Sequence, residues 1–245
     1  MTLQRPETGN RVDLELAAEV RAVCQALREN DDAHVVVLTS SGGSFSVGRE
    51  PLPGELASAP ATQRLAWLEQ IKAADAIASL PAPVIVSING DALDQGLEIA
   101  LAGDLRIAVE GARFGLTDLA RDGSFPWDGG TQRLPRLVGP AWASDLILTS
   151  RVIDAAQALE IGLVNRMVQA AELEQETLQL AETIARGGPV AARYAKEAIN
   201  QGRDLPLEQG LRLEADLNII LQSTQDRAEG LRSFGEKRAP RFRGQ

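Results

Sequence analysis

The sequence predicts an α/β protein with parallel strand pairing and a helical C-terminal part. Strand-like and helix-like segments alternate between residues 34 and 109. Beyond about residue 140 the strand signals fade while helical periodicity continues. No segment repeats at the periods of about 20–50 residues that mark solenoids or propellers. Strands that alternate with helices are joined by crossovers, and crossovers bring strands together in parallel. The expected organisation is one α/β core over residues 1–188 and a helical region over 189–245.

The first helix is expected to start at Asp13 as N-cap and to run to about Arg28, with an apolar stripe of Leu16, Val20, Val23, Cys24 and Leu27. His34-Val35-Val36-Val37-Leu38-Thr39 reads as a buried strand and is followed by a small-residue loop over 40–48. Pro51, Pro53 and Pro60 make 51–60 an exposed, mobile loop. A second helix covers about 61–79 and stops at Leu80-Pro81-Ala82-Pro83. Val84–Ile88 forms the next strand, a helix carrying Leu97, Ile99, Ala100 and Leu101 follows, and Leu105–Val109 is again a strand. Further helices are expected at about 140–150, 154–161, 170–186, 189–201 and 206–222.

Composition excludes several classes of function. A net charge of −9 argues against non-specific nucleic-acid binding, which needs a basic face to displace phosphate counterions. No run approaches the roughly 20 apolar residues that span a bilayer. The opening Met1-Thr2-Leu3-Gln4-Arg5-Pro6 lacks an apolar signal region, and Cys24 has no second cysteine to pair with, so a cytoplasmic location is expected. The single histidine, His34, cannot build a multi-histidine metal site, and no metal is expected. No serine occupies a G-x-S-x-G elbow, which leaves acid–base work to carboxylates or lysines.

Three stretches carry a family resemblance. Phe45-Ser46-Val47-Gly48-Arg49-Glu50 is similar to F-S-A-G-x-D. Asn89-Gly90-Asp91-Ala92-Leu93-Asp94-Gln95-Gly96-Leu97-Glu98-Ile99-Ala100 is similar to N-G-x-A-x-G-G-G-x-E-L-A. Arg113-Phe114-Gly115-Leu116-Thr117-Asp118 leads into Gly129-Gly130-Thr131-Gln132-Arg133-Leu134-Pro135-Arg136. Shorter matches follow at Ala158–Val164, Ala195–Asn200 and Phe234–Arg238. In this order and spacing the chain resembles the crotonase (enoyl-CoA hydratase/isomerase) superfamily over nearly its whole length. The resemblance implies a spiral of ββα units with a helical C-terminal trimerisation region, and hence a homotrimer or a dimer of trimers. It implies an acyl-CoA thioester as substrate, with no cofactor beyond the coenzyme A that the substrate carries.

The chemistry such a site needs is an oxyanion hole. A thioester carbonyl gains negative charge as it becomes an enolate, and each N–H aimed at it stabilises the transition state by about 2.7–4 kcal/mol. The resemblance gives these donors as the backbone amides of Arg49 and Gln95. Gln95 replaces a glycine of the pattern, which raises the question of where its side chain goes. Glu98 falls at the first catalytic carboxylate, and its apolar neighbours Leu97, Ile99 and Ala100 should raise its pKa. Asp118, twenty residues on, falls at the second but is one methylene shorter than glutamate. Asp128 lies where isomerases and other branches keep a working carboxylate, or else it caps the helix that follows. The resemblance also places coenzyme A near Ser46, Val47, Gly48 and Glu50, with Phe234 and Lys237 contributing from the same or a neighbouring subunit. Asp94, another replaced glycine, either selects a substrate or faces water, and Trp127 either walls an acyl pocket or packs in the core. The leading reading is a hydro-lyase that hydrates a 2-enoyl-CoA. The alternatives are an isomerase that works through Asp128 and a non-catalytic homologue.

Overall fold

The computed structural model describes the backbone of residues 1–245 and every side chain except that of Ala57. The chain forms two compact units. One comprises Met1–Gln25, Val37–Ser79 and Val84–Thr177; the other comprises Ala26–Val36, Leu80–Pro83 and Leu178–Gln245.

The strands in chain order are β1 (Thr2–Leu3), β2 (Val36–Ser40), β3 (Ser44–Val47), β4 (Val84–Ile88), β5 (Asp91–Leu93), β6 (Leu105–Val109), β7 (Arg113–Gly115), β8 (Ile153–Asp154) and β9 (Arg166–Val168). The helices are α1 (Leu14–Arg28), α2 (Gly54–Ala57), α3 (Ala61–Ile71), α4 (Ala74–Ala78), α5 (Gln95–Leu101), α6 (Asp118–Asp122), α7 (Gly130–Val138), α8 (Pro140–Thr149), α9 (Ala155–Glu160), α10 (Leu173–Ala185), α11 (Pro189–Gly202), α12 (Leu207–Gln222) and α13 (Gln225–Gly235). One sheet runs β1-β2-β4-β6-β9 and the other β3-β5-β7-β8. The pairings β4–β6, β6–β9, β3–β5 and β5–β7 are parallel, as the alternation of elements predicts, and only β7–β8 is antiparallel among the pairs described.

Each central element follows from its residues. All five residues of β4 are buried, so its Val-Ile-Val-Ser-Ile run is continuous rather than alternating, as suits a strand covered on both faces. Its one polar side chain, Ser87, meets the Thr177 hydroxyl at 3.0 Å. Asp13 starts α1 as expected, with Oδ1 accepting from Leu16 N–H at 2.7 Å. Leu16, Ala17, Val20 and Cys24 form its buried stripe, whereas Val23, expected on that stripe, is exposed. Arg106 sits buried inside β6, its guanidinium donating to the carbonyls of Leu163 (2.7 Å) and Gly103 (2.6 Å).

Three expectations change. The small-residue loop over 40–48 contains β3. The stretch 51–60 contains the single turn α2. The helix expected over 61–79 is two helices, because Lys72 turns extended and the amides of Ala73 and Ala74 bond to the Asp128 carboxylate instead of continuing the ladder.

In the second unit α11 and α12 pack together. The C-terminal segment is held to α13 by Asp226, whose carboxylate accepts from the amides of Arg243 (2.7 Å) and Gly244 (2.9 Å). Of the side chains on α12 only Leu217 is buried, while Leu207, Leu211, Ile219 and Ile220 are exposed. Among the described residues no helix is long and apolar enough to cross a membrane.

Candidate active site

Buried polar atoms that the fold leaves without hydrogen-bond partners call for an explanation beyond packing. Seven buried side-chain N or O atoms among the described residues lack a hydrogen bond within the protein. Six belong to Arg49, Gln95, Glu98, Asp118, Trp127 and Asp128. The five residues expected to carry the chemistry are all in that set.

The backbone at 49 and 95 is set by strand register. Val47 lies opposite Leu93 in the parallel β3–β5 pair, so one step past each strand end Gly48 meets Asp94, whose Cβ would be 3.3 Å from a Cβ built on Gly48. Arg49 and Gln95 come next. Val12, opposite Arg49, bonds to the two residues that flank Arg49: Val12 N–H donates to Gly48 O at 2.9 Å, and Glu50 N–H donates to Val12 O at 2.8 Å. The Arg49 N–H therefore faces the opposite edge, along which β5 runs. Gln95 opens α5, where a first-turn amide has no acceptor within the helix. Close approach demands glycine at 96, since a Cβ there would lie 2.1 Å from Ser46 O.

Glu98 is fully buried in the middle of α5. Its Oε1 accepts from the amides of Asp128 (2.7 Å) and Gly130 (2.8 Å), and Oε2 has no partner. Burial pushes the carboxyl up to about 7. The charges of Asp128 and Asp118 add to the shift and the two amides oppose it. One oxygen is thus fixed in place, and the other is presented by a group poised to gain or lose a proton near neutral pH.

Asp118, the first residue of α6, is also fully buried. Its Oδ1 is bonded by Arg121, and its Oδ2 lies 3.6 Å from Arg49 Nη1. Burial and then Asp94 raise its pKa, against Arg49 and Arg121. Asp128 Oδ2 accepts from Ala73 N–H (2.8 Å), Ala74 N–H (3.0 Å) and Gln95 Nε2 (3.0 Å), while Oδ1 is left over. Burial raises this carboxyl too. It caps a helix, but that helix is α4 rather than the one that follows it in sequence.

The remaining expected residues have varied surroundings. The Gln95 side chain turns away to Ile71 O (2.7 Å) and Asp128. The Ser46 hydroxyl is buried and donates to Asn10 O at 2.8 Å. Val47 N–H donates to Gly9 O at 3.0 Å, Gly48 has φ +106°, and Glu50 is half-buried. Phe234 and Lys237 are exposed in the second unit. Trp127 is partly buried beneath Lys72, whose ammonium lies 5.2 Å from the ring centroid. Asp94 does not face water: it is buried, and Thr117 and Arg121 bind its carboxylate. Reading the sequence missed Arg121 and Thr117; the only signal was that Arg121 follows Asp118 by one helical turn.

A sequence profile described as Enoyl-CoA hydratase/isomerase matches residues 1–245. The chain belongs to the enoyl-CoA hydratase/isomerase family. Among its relatives is the (E)-benzylidenesuccinyl-CoA hydratase of Thauera aromatica, 39% identical over 100% of this chain and 94% of that protein. The crotonyl-CoA hydratase of Syntrophomonas wolfei is 36% identical over 98% of this chain and 92% of its own length. The crystal structure of an enoyl-CoA hydratase from Bacillus anthracis matches with a TM-score of 0.93 at 39% identity, covering 100% of this chain and 94% of that one. As a member of the enoyl-CoA hydratase/isomerase family the protein has the crotonase fold and is an enzyme of that type, and the family implies an acyl-CoA thioester as substrate.

Proposed function

We propose that the protein adds water across the double bond of a 2-enoyl-CoA thioester, or removes it in reverse. The observation that carries this reading is the split role of Glu98, with Oε1 locked by two amides and Oε2 free at a carboxyl shifted to about 7. In hydration Glu98 takes one proton from water as the hydroxyl oxygen bonds to C3. The π electrons move toward the thioester oxygen, where the N–H groups of Arg49 and Gln95 hold the charge. C2 then receives a proton from the partner carboxyl, which we assign to Asp118. Asp128, with three donors on one oxygen, serves to position Gln95 and the start of α4. The test is to incubate the protein with crotonyl-CoA and follow loss of the conjugated absorbance; an inert protein ends this reading.

A second reading follows from Asp128 Oδ1, which is buried without a partner on a carboxyl of raised pKa. On that reading the protein shifts a double bond by moving one proton between carbons. Turnover of a 3-enoyl-CoA that is lost in Asp128→Asn would support it over hydration.

The same reading puts coenzyme A against Ser46–Glu50, with Phe234 and Lys237 supplied by a neighbouring subunit. A trimer or dimer of trimers accounts for the apolar side chains that α12 and α13 expose, Leu207 at 79% and Phe234 at 86%. A reducing, cytoplasmic setting accords with the lone buried thiol of Cys24.

A further inference from the structure

Asp94 sits in a backbone conformation, φ 49° and ψ −124°, that residues with a side chain rarely adopt. The family pattern carries glycine at this position, which would enter the conformation freely. The aspartate is therefore the costlier residue for the turn, and what it adds is a carboxylate. The residue is 2% exposed, and its carboxylate is fully engaged. Oδ1 accepts from the Thr117 amide, the Thr117 hydroxyl lies 3.0 Å from both oxygens, and Arg121 Nη1 donates to Oδ2. The other arm of the same guanidinium, Nη2, donates to Asp118 Oδ1. One arginine thus grips the residue just before Gln95 with one arm and the buried acid of α6 with the other.

We propose that Arg121 is a positioning residue whose fork on Asp94 and Asp118 fixes, in one geometry, the turn presenting the Gln95 N–H and the carboxyl facing the substrate. The inference rests on the hydratase reading of the site. Three features of the chain support it. First, the turn is tied on its backbone side as well, since Asp94 N–H donates to Gly115 O at 2.8 Å and Glu98 N–H donates to Asp94 O at 3.0 Å. The fork closes a ring that runs from the end of β7 through Thr117 and α6 back to the start of α5. Second, the side chain of Arg121 is 45% exposed while both carboxylates it joins are buried, so one guanidinium supplies the counter-charge for both from the open side. Third, the planar guanidinium serves two acceptors in fixed directions, which a lysine ammonium does not reproduce.

Replacing Arg121 by Met or by Lys, and measuring crotonyl-CoA hydration together with backbone hydrogen exchange over residues 94–98, tests the fork. In Arg121→Met, kcat is expected to fall about 100-fold, the size of loss that a small misplacement of reacting groups brings. KM should stay within about threefold, since no substrate contact is removed. Exchange over 94–98 should quicken, and Arg121→Lys should recover only a minor part of either effect. The limb of the pH profile that belongs to Asp118 should move upward. Of the groups facing that carboxyl, Glu98 and Asp94 are acids, and Arg49 would be the one cation left. Asp94→Gly relieves the turn and removes the handle together, so it too should exchange faster, and adding Arg121→Met to it should quicken 94–98 no further. A wild-type kcat in Arg121→Met overturns the proposal, and so does a raised KM at constant kcat or a lower kcat with unchanged exchange. If the wild-type chain hydrates no enoyl-CoA, the hydratase reading fails, and the exchange measurement still decides whether the fork holds the turn.

Discussion

The Nε2 of Gln95 donates to Asp128 Oδ2 at 3.0 Å and to Ile71 O at 2.7 Å. A side chain that replaces glycine beside the expected thioester oxygen is thereby drawn away from it and made part of the wall. Asp128 gathers the same glutamine and the first amides of α4, so the two residues join α5 to the break between α3 and α4.

Removing that tie should cost stability more than chemistry. Gln95→Ala leaves Ile71 O without its side-chain donor and Asp128 Oδ2 with two donors instead of three, while the backbone N–H at 95 remains. A buried acceptor left unsatisfied costs about 1–3 kcal/mol, so unfolding in denaturant should show a loss of that size. The rate should fall far less than when Glu98 is changed. A Gln95→Ala protein as stable as the parent would mean that these hydrogen bonds contribute nothing.

Glu98→Gln keeps an acceptor for the amides of Asp128 and Gly130 and loses only the titrating group. Its kcat should fall by about 10²–10⁴, the usual worth of a placed acid–base residue, with substrate binding retained. In the parent, hydration needs the ionised form, so kcat/KM should rise with pH through about 7, and the variant should lack that limb. Steady-state rates across pH decide both points.

The same carboxyl makes stability depend on pH. Its folded pKa, about 7, lies above its ordinary 4.5, so the folded chain binds the proton more tightly than the unfolded one. The stability this brings is complete below about 4.5 and lost as pH rises through about 7. Relative to the parent, Glu98→Gln should gain stability over that window by about 3 kcal/mol, at 1.36 kcal/mol per pH unit, and the gain should level off above it. Equal pH dependence in the two proteins would show that Glu98 ionises normally.

Much of this arrangement could be read from residues, and what could not has a physical reason. Val84–Ile88 and Leu105–Val109 are runs long enough for burial to show, and Asp13 announces α1. β5, β7 and β9 are three residues each, too short for an alternating pattern to appear. A helix after Asp128 was expected and α7 is there, but its internal Pro135, which reads as a breaker, hid its extent. The end of α3 at Ile71 depends on Asp128, more than fifty residues away, and local propensity carries no trace of it. In the site, the family resemblance pointed to Glu98 and Asp118, and the structure buries both. The partners of Asp94 were not, because a replaced glycine tells nothing of which side chain will reach it.

Close packing at the start of α5 sets another test. A Cβ at 96 would stand 2.1 Å from Ser46 O, a backbone atom that cannot turn aside. Gly96→Ala should therefore destabilise by about 3 kcal/mol, at the upper end of ordinary overpacking, and abolish hydration by displacing the 95–98 turn. Gly111 has nothing within 4 Å of the equivalent position and no left-handed φ, so Gly111→Ala should match the parent in melting temperature and rate. Equal behaviour of the two variants would sink the close-approach argument.

Asp118→Asn and Asp128→Asn separate the two carboxylates as partners of Glu98. An asparagine at 128 still offers one oxygen to Ala73, Ala74 and Gln95, so the wall survives, and a group that only positions should lose less than about tenfold in kcat. An asparagine at 118 cannot deliver a proton to C2, and it leaves Arg49 and Arg121 without the acid between them. Its kcat should fall by about 100-fold or more, as expected for a general acid. The order of the two losses in one hydration assay carries the assignment. If Asp128→Asn is the more damaged, the working partner is Asp128, and Asp118 is reduced to the counter-ion of two arginines.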